Sequence, residues 1–289
     1  MTWRPMSLRG GDPDPRFDGP SEGLPPWLKG PVLEWVKAAF HPGGYVNDGA
    51  LRALQLDFRL ERPLGAGGIY PHNDLLSRMD ADDAFALDVL DWMVHNHKYF
   101  SEGHQSEEWV EELGLLLNQG GSAWEVTTLD YMSHQLTRRA VGPVVEVLEQ
   151  TATEAARAHK HLSDAWSKLM GRGPDPSGAY REAVRAVEAV AKPVILPNND
   201  RATLGQMIAA MREKPEKWAV TIGTVDDVRA QMETVWTGQL DRHGTDDETV
   251  PLNVSPAEAD AAFSACLNLV RLFVGGHVVQ AVTSGSTSV

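Results

Sequence analysis

Only one segment of the 289-residue chain alternates apolar and polar residues as a half-buried strand must: Ala123-Trp124-Glu125-Val126-Thr127. Elsewhere apolar residues recur three and four positions apart, the spacing of one helix face. Residues 80–98 carry Phe85, Val89, Leu90 and Met93 behind a capping Asp80 and an acidic first turn. Residues 106–118 run to a Gly120-Gly121 stop, and Thr203 to Arg212 forms a short helix. Tyr180, Ala183, Val184, Val187, Val190 and Ala191 share a face in a helix starting near Asp175 or Ser177 and stopped by Pro193. Thr224 caps another, with Asp227 three residues on. The clearest signature is Ser255-Pro256-Ala257-Glu258, a cap, a first-position proline and a capping box. Its apolar run extends through Phe263, Leu267, Val270 and Phe273 to Gly275-Gly276. The expected class is therefore all-α, a helical bundle with at most one short strand pair.

Breakers organise the rest. Pro, Gly and Asp dominate the first residues, so 1–30 reads as an irregular arm, with Pro31 opening the first helix. A second helix starts near Asp48, and the glycines and prolines of 59–73 read as a loop. From about 135 to 170 the pattern is helical, broken at Gly142-Pro143, where the expected boundary falls. That gives an acidic helical domain over 31–142, a second helical domain over 143–280 and a disordered Ser/Thr/Gly tail over 281–289. No run of about 18 uncharged apolar residues suggests a membrane span. The N-terminus has no signal-peptide pattern, and a single cysteine, Cys266, excludes a disulfide framework. A cytoplasmic protein without a membrane contact is expected.

The net charge is −14, of which −11 falls in residues 1–150 and −3 in 151–289. Residues 74–112 hold 11 acids against Arg78 and Lys98. A general nucleic-acid binder carries a basic face, so RNA contact here is confined to a local site in the second half. The acidic stretch reads as solvated surface, or as the face of a protein partner.

Several constellations give way to plainer readings. His95-Asn96-His97 cannot grip one ion from a helix, because residues two apart face differently. It reads as a solvated helix end, and His159-Lys160-His161 as an exposed turn. Gly65-Ala66-Gly67-Gly68 lacks the Lys-Ser/Thr of a phosphate loop. Cys266, inside an apolar run, reads as a buried inert thiol. No metal or cofactor is expected. The segment richest in chemistry is Gln239-Leu240-Asp241-Arg242-His243-Gly244 at a helix end. Arg242 suits a phosphate and His243 a proton transfer near neutral pH, the pair needed for metal-free RNA cleavage. A helix C-cap built from basic residues and glycine is the plainer alternative.

A set of ordered motifs spans residues 161–276. It comprises His161-Leu162-Ser163-Asp164-Ala165-Trp166, Gly171-Arg172 with Pro174-Asp175-Pro176, and Ala179-Tyr180-Arg181-Glu182-Ala183 with Ala186-Val187-Glu188-Ala189. Pro197-Asn198-Asn199 with Thr203-Leu204-Gly205 follows, then the 239–244 segment. In their order and spacing these resemble the abortive-infection C-terminal family, a branch of the HEPN-like helical domains. The resemblance covers roughly 40% of the chain. It implies a HEPN-like α-helical bundle that pairs as a homodimer and a toxin-type role in bacterial defence against phage. It also implies a metal-independent ribonuclease with Arg242 and His243 catalytic and Gln239 and Asp241 in support. In the family motif the arginine stands several residues before the histidine, whereas Arg242 is adjacent to His243. The alternative is thus a degenerate site in a non-catalytic interaction or sensor module.

Overall fold

Helix starts in this chain are set by small polar caps and prolines, and the structure shows both devices repeatedly. In the computed structural model the described residues are 5–6, 14, 16–17, 20–100, 104–130, 133–140, 142–238 and 254–281. They are mostly helical, with two short antiparallel strand pairs, so the class is all-α. No helix among them is long and apolar enough to cross a membrane. The chain divides into two compact units, Met1–Arg139 and Ala140–Val289, each with its own apolar core.

The first unit contains α1 (Pro26–Phe40), α2 (Asp48–Asp57), α3 (Pro71–Ala81), α4 (Asp83–His95) and α5 (His104–Gln119), then the hairpin β1 (Trp124–Asp130) and β2 (Ser133–Arg138). Val32, Val36 and Phe40 of α1 are buried with Leu75 and Met79 of α3, Leu90 and Met93 of α4, and Leu113 and Leu117 of α5. α1 starts five residues before Pro31, because Pro26 occupies its first turn and Leu28 is already buried. Pro31 lies inside the helix, where it removes one ladder hydrogen bond. Residues 80–98 are not one helix. The chain breaks at Asp82, whose carboxylate accepts from the Ala84 and Phe85 N–H groups and caps α4 in place of Asp80. The expected loop 59–73 gives way to α3 at Pro71, again a first-turn proline.

The predicted strand lies within Ala123 and β1, and β2 pairs with it antiparallel, Val126 opposite Leu136 and Thr128 opposite His134. The stretch that begins near 135 is therefore strand before it is helix. Leu136 is fully buried, and its N–H donates to Asp91 Oδ1 at 2.7 Å. That bond anchors the hairpin on α4.

The second unit contains α6 (Pro143–Glu154), α7 (Ala156–Met170), α8 (Pro176–Ile195), α9 (Leu204–Glu213), β3 (Trp218–Val220), α10 (Val225–Thr237), α11 (Pro256–Val274) and β4 (Val278–Gln280). α8 packs against both α7 and α11. Ala179, Ala183, Ala186, Val187 and Ala191 are buried beside Leu162 and Ala165 of α7 and Phe263, Cys266 and Val270 of α11. Capping boxes at Thr203, Thr224 and Ser255 start α9, α10 and α11. Pro193 does not stop α8, which runs on to the buried Ile195. β3 and β4 form a second antiparallel pair, in addition to the single strand legible in the sequence. Three residues each are too few for alternation to show.

Candidate functional site

α7 and α8 are adjacent in sequence and pack together, so a polar position on the edge of one stripe meets its counterpart on the other. On α7, His161 and Asp164 stand three apart beside the buried Leu162 and Ala165. On α8, Glu182 and Arg185 stand three apart beside the buried Ala183 and Ala186. Residues three apart share a helix face. The result is one cluster. His161 Nδ1 lies 2.7 Å from Glu182 Oε2, and Arg185 Nη1 lies 2.9 Å from Glu182 Oε1. Lys160 Nζ donates to Asp164 Oδ2 at 2.8 Å.

Glu182 is only 8% exposed. A buried carboxylate is tolerated when both oxygens are satisfied, and here one imidazole and one guanidinium do so. Because a carboxylate only accepts, His161 donates through Nδ1, and its Nε2 is left to accept or carry a proton. The His161 side chain is 23% exposed and that of Arg185 51% exposed, so both reach solvent. An imidazole oriented by a buried carboxylate, beside a half-exposed guanidinium, is equipped to move a proton next to a phosphate.

His161, Asp164 and Glu182 each offer a ligand atom, all within 4.8 Å of one another. Lys160 on Asp164 and Arg185 on Glu182 already neutralise both carboxylates. The charge that would draw a divalent cation is thereby reduced, and the arrangement favours proton transfer.

His161 is thus a correction to the reading of 159–161 as an exposed turn. The turn is half in contact: His159 Nδ1 bonds the Leu148 carbonyl at 3.0 Å. The i, i+3 pairs His161/Asp164 and Glu182/Arg185 were visible in the sequence. What was not visible is that α7 and α8 turn these faces toward each other.

Gln239, Asp241, Arg242 and His243 lie outside the described residues. The residues on either side of them are described. Gly238 ends α10 against Tyr180: a Cβ on Gly238 would stand 2.5 Å from the Tyr180 hydroxyl oxygen. That hydroxyl donates to the Val235 carbonyl at 2.9 Å, and burial pushes it up to about 12. At the other end, the Val254 N–H donates to Ser177 Oγ at 3.2 Å. Both flanks of 239–253 therefore rest on the first turns of α8, next to the turn that carries Glu182.

The remaining constellations resolve structurally. His97 is buried rather than solvated, with Nδ1 on the Val94 carbonyl at 3.1 Å and its ring edge-on to His134. The Gly65 N–H donates to Asp74 Oδ2, so a carboxylate already occupies the glycine loop. Asp74 itself is buried, and hydrogen bonding from Arg78 holds it below the usual carboxylate range. The acidic stretch is therefore not uniformly solvated surface. Cys266 is fully buried, and burial pushes its thiol up. A cavity of about 960 Å³ lies between the ends of α8 and α9. Its charged lining mixes Lys214 and Lys217 with Glu213 and Glu216, without a group oriented for chemistry.

No family model, curated protein or solved structure matches the chain.

Proposed function

We propose that the chain is a bacterial anti-phage protein of the abortive-infection, toxin type. It acts in the cytoplasm as a homodimer, and its second unit cuts RNA without a metal. The observation that carries this reading is the His161–Glu182 pair with Arg185 on the same carboxylate. The HEPN-like motifs span the same unit, and both flanks of the segment carrying Arg242 and His243 rest on α8.

The reaction needs one base, one acid and one cation. A ribose 2′-oxygen attacks the adjacent phosphorus as its proton passes to the base. The bond from phosphorus to the 5′-oxygen breaks, and the acid delivers a proton to that oxygen. The products are a 2′,3′-cyclic phosphate and a 5′-hydroxyl end. His161, aligned by Glu182, is one proton-transfer group, and His243 is the other. Arg185 and Arg242 hold the phosphate and its developing charge. Gln239 and Asp241 position these groups. RNA meets the chain only at this local site, since the protein as a whole is strongly negative.

The test is incubation of the purified protein with total RNA and a tRNA pool in EDTA, followed by end-group analysis. Fragments with cyclic phosphate and 5′-hydroxyl ends are expected. Intact RNA, or 5′-phosphate ends, would overturn the reaction.

A non-catalytic interaction or sensor module is the second reading. It is favoured by the complete satisfaction of Glu182, which a purely structural pair also requires, and by the net charge of −14. In that reading the acidic 74–112 region recruits a basic protein partner, and replacing His161 changes stability alone.

A further inference from the structure

The His161–Asp164–Glu182 cluster has a capacity that RNA cleavage does not use. One ring nitrogen of His161 and one carboxylate oxygen from each of Asp164 and Glu182 lie within 4.8 Å of one another. Ligands about 2.0–2.2 Å from a four-coordinate zinc ion stand about 3.3–3.6 Å apart, so small side-chain rotations close the set. His161 and Asp164 come from one face of α7, and Glu182 from the helix packed on it. The buried Leu162, Ala165, Ala183 and Ala186 hold those two faces together, so the donors are assembled before any ion arrives.

The two cations on the cluster select among ions rather than exclude them all. Lys160 sits on Asp164 Oδ2 and Arg185 on Glu182 Oε1. They offset the carboxylate charge on which a hard ion such as Mg²⁺ or Ca²⁺ depends, and such ions also take six or more oxygens. An imidazole-binding ion depends less on that charge, because the ring nitrogen is itself a preferred ligand. Neither cation blocks it. Arg185 holds Glu182 Oε1, whereas His161 contacts Oε2. The Lys160 side chain is 67% exposed, and an exposed pair of this kind contributes little and is readily exchanged.

We propose that the cluster binds Zn²⁺ through His161, Asp164 and Glu182, and that the ion holds the site inactive. The ion takes the place of the proton between His161 Nδ1 and Glu182 Oε2, and the ring's single proton moves to Nε2. His161 then has no basic nitrogen left for proton transfer, and Glu182 no longer orients it. The loss of activity rests on the ribonuclease reading, whereas the binding of the ion does not.

The full-length protein, freed of metal with EDTA and then desalted, is titrated calorimetrically with Zn²⁺ and with Mg²⁺. One Zn²⁺ per chain and no Mg²⁺ binding is expected. Asp164→Asn should weaken Zn²⁺ binding at least tenfold. Lys160→Met uncovers Asp164 and should strengthen it at least threefold, and melting temperatures in EDTA check that both variants fold. The same samples report RNA cleavage, which one equivalent of Zn²⁺ should reduce at least tenfold and excess EDTA restore. Zn²⁺ affinity unchanged in both variants, equal binding of Mg²⁺, or cleavage raised or unaffected by bound Zn²⁺ would overturn the proposal. Intact RNA even in EDTA would overturn the ribonuclease reading instead, and the titration of the two variants still decides the site.

Discussion

Glu182 shows how a single side chain can be both a structural cost and a chemical resource. Its carboxylate is buried, so it must be paired, and one of the partners chosen is a histidine that still reaches solvent. General acid–base groups contribute on the order of 10²–10⁴-fold to rate. Replacing His161 by Ala should therefore lower cleavage by about that factor, measured as the single-turnover rate. Glu182→Gln keeps the shape but removes the carboxylate that accepts from His161 Nδ1, so the single-turnover rate should fall with it. His72 makes a different, testable claim. It is buried beside His41 and Lys37, and burial first, then those cations, hold its imidazole below the ordinary value of 6.5. The folded protein thus binds fewer protons than the unfolded chain as pH falls below 6.5. The contribution of neutral His72 is present above that pH and lost on the way down to the folded value. The urea midpoint of the wild type should fall more steeply below pH 6.5 than that of His72→Gln. Equal slopes would contradict the assignment. At this scale the sequence was readable where a residue acts on its own neighbours. Thr224 and Ser255 cap as their spacing demands. The His161–Glu182 contact was not readable, because it joins residues 21 apart through the packing of two helices.

At the level of elements, Gly205 fixes where two helices meet. A Cβ on Gly205, at the start of α9, would stand 2.6 Å from the Trp236 ring of α10. Neither ring nor backbone can give easily, so Gly205→Ala should cost about 1–3 kcal/mol, read from the denaturant midpoint. Ser255→Ala removes the cap of α11 and should cost about 1 kcal/mol by the same measure. The element boundaries that sequence reasoning misplaced share one cause. Pro31, Pro193 and Asp80 were read as local stops or starts, but burial of Leu28, Ile195 and Met79 carries the helices across them. β3 and β4 were missed for the opposite reason. Each is three residues long and exists only because residues about 60 apart in sequence pair.

For the whole molecule, separate cores imply separate stability. All the apolar residues of the second core lie between Val144 and Val278, so residues 140–289 carry what they need to fold. That fragment should melt in one cooperative transition with a native-like helical spectrum. A fragment that stays unfolded would mean that the core alone does not suffice. The helical class followed from apolar spacing. The candidate site was only half legible: the motifs pointed to 239–244, and the structure added the hydrogen-bonded His161–Glu182 pair on α7 and α8. The measurement that bears most directly on the proposed activity is RNA cleavage in EDTA by the wild type, His161→Ala and His243→Ala side by side. Cleavage by the wild type and its loss in both variants, with melting temperatures preserved, is the predicted result. Intact RNA with the wild type, or wild-type cleavage rates in His161→Ala, would contradict it.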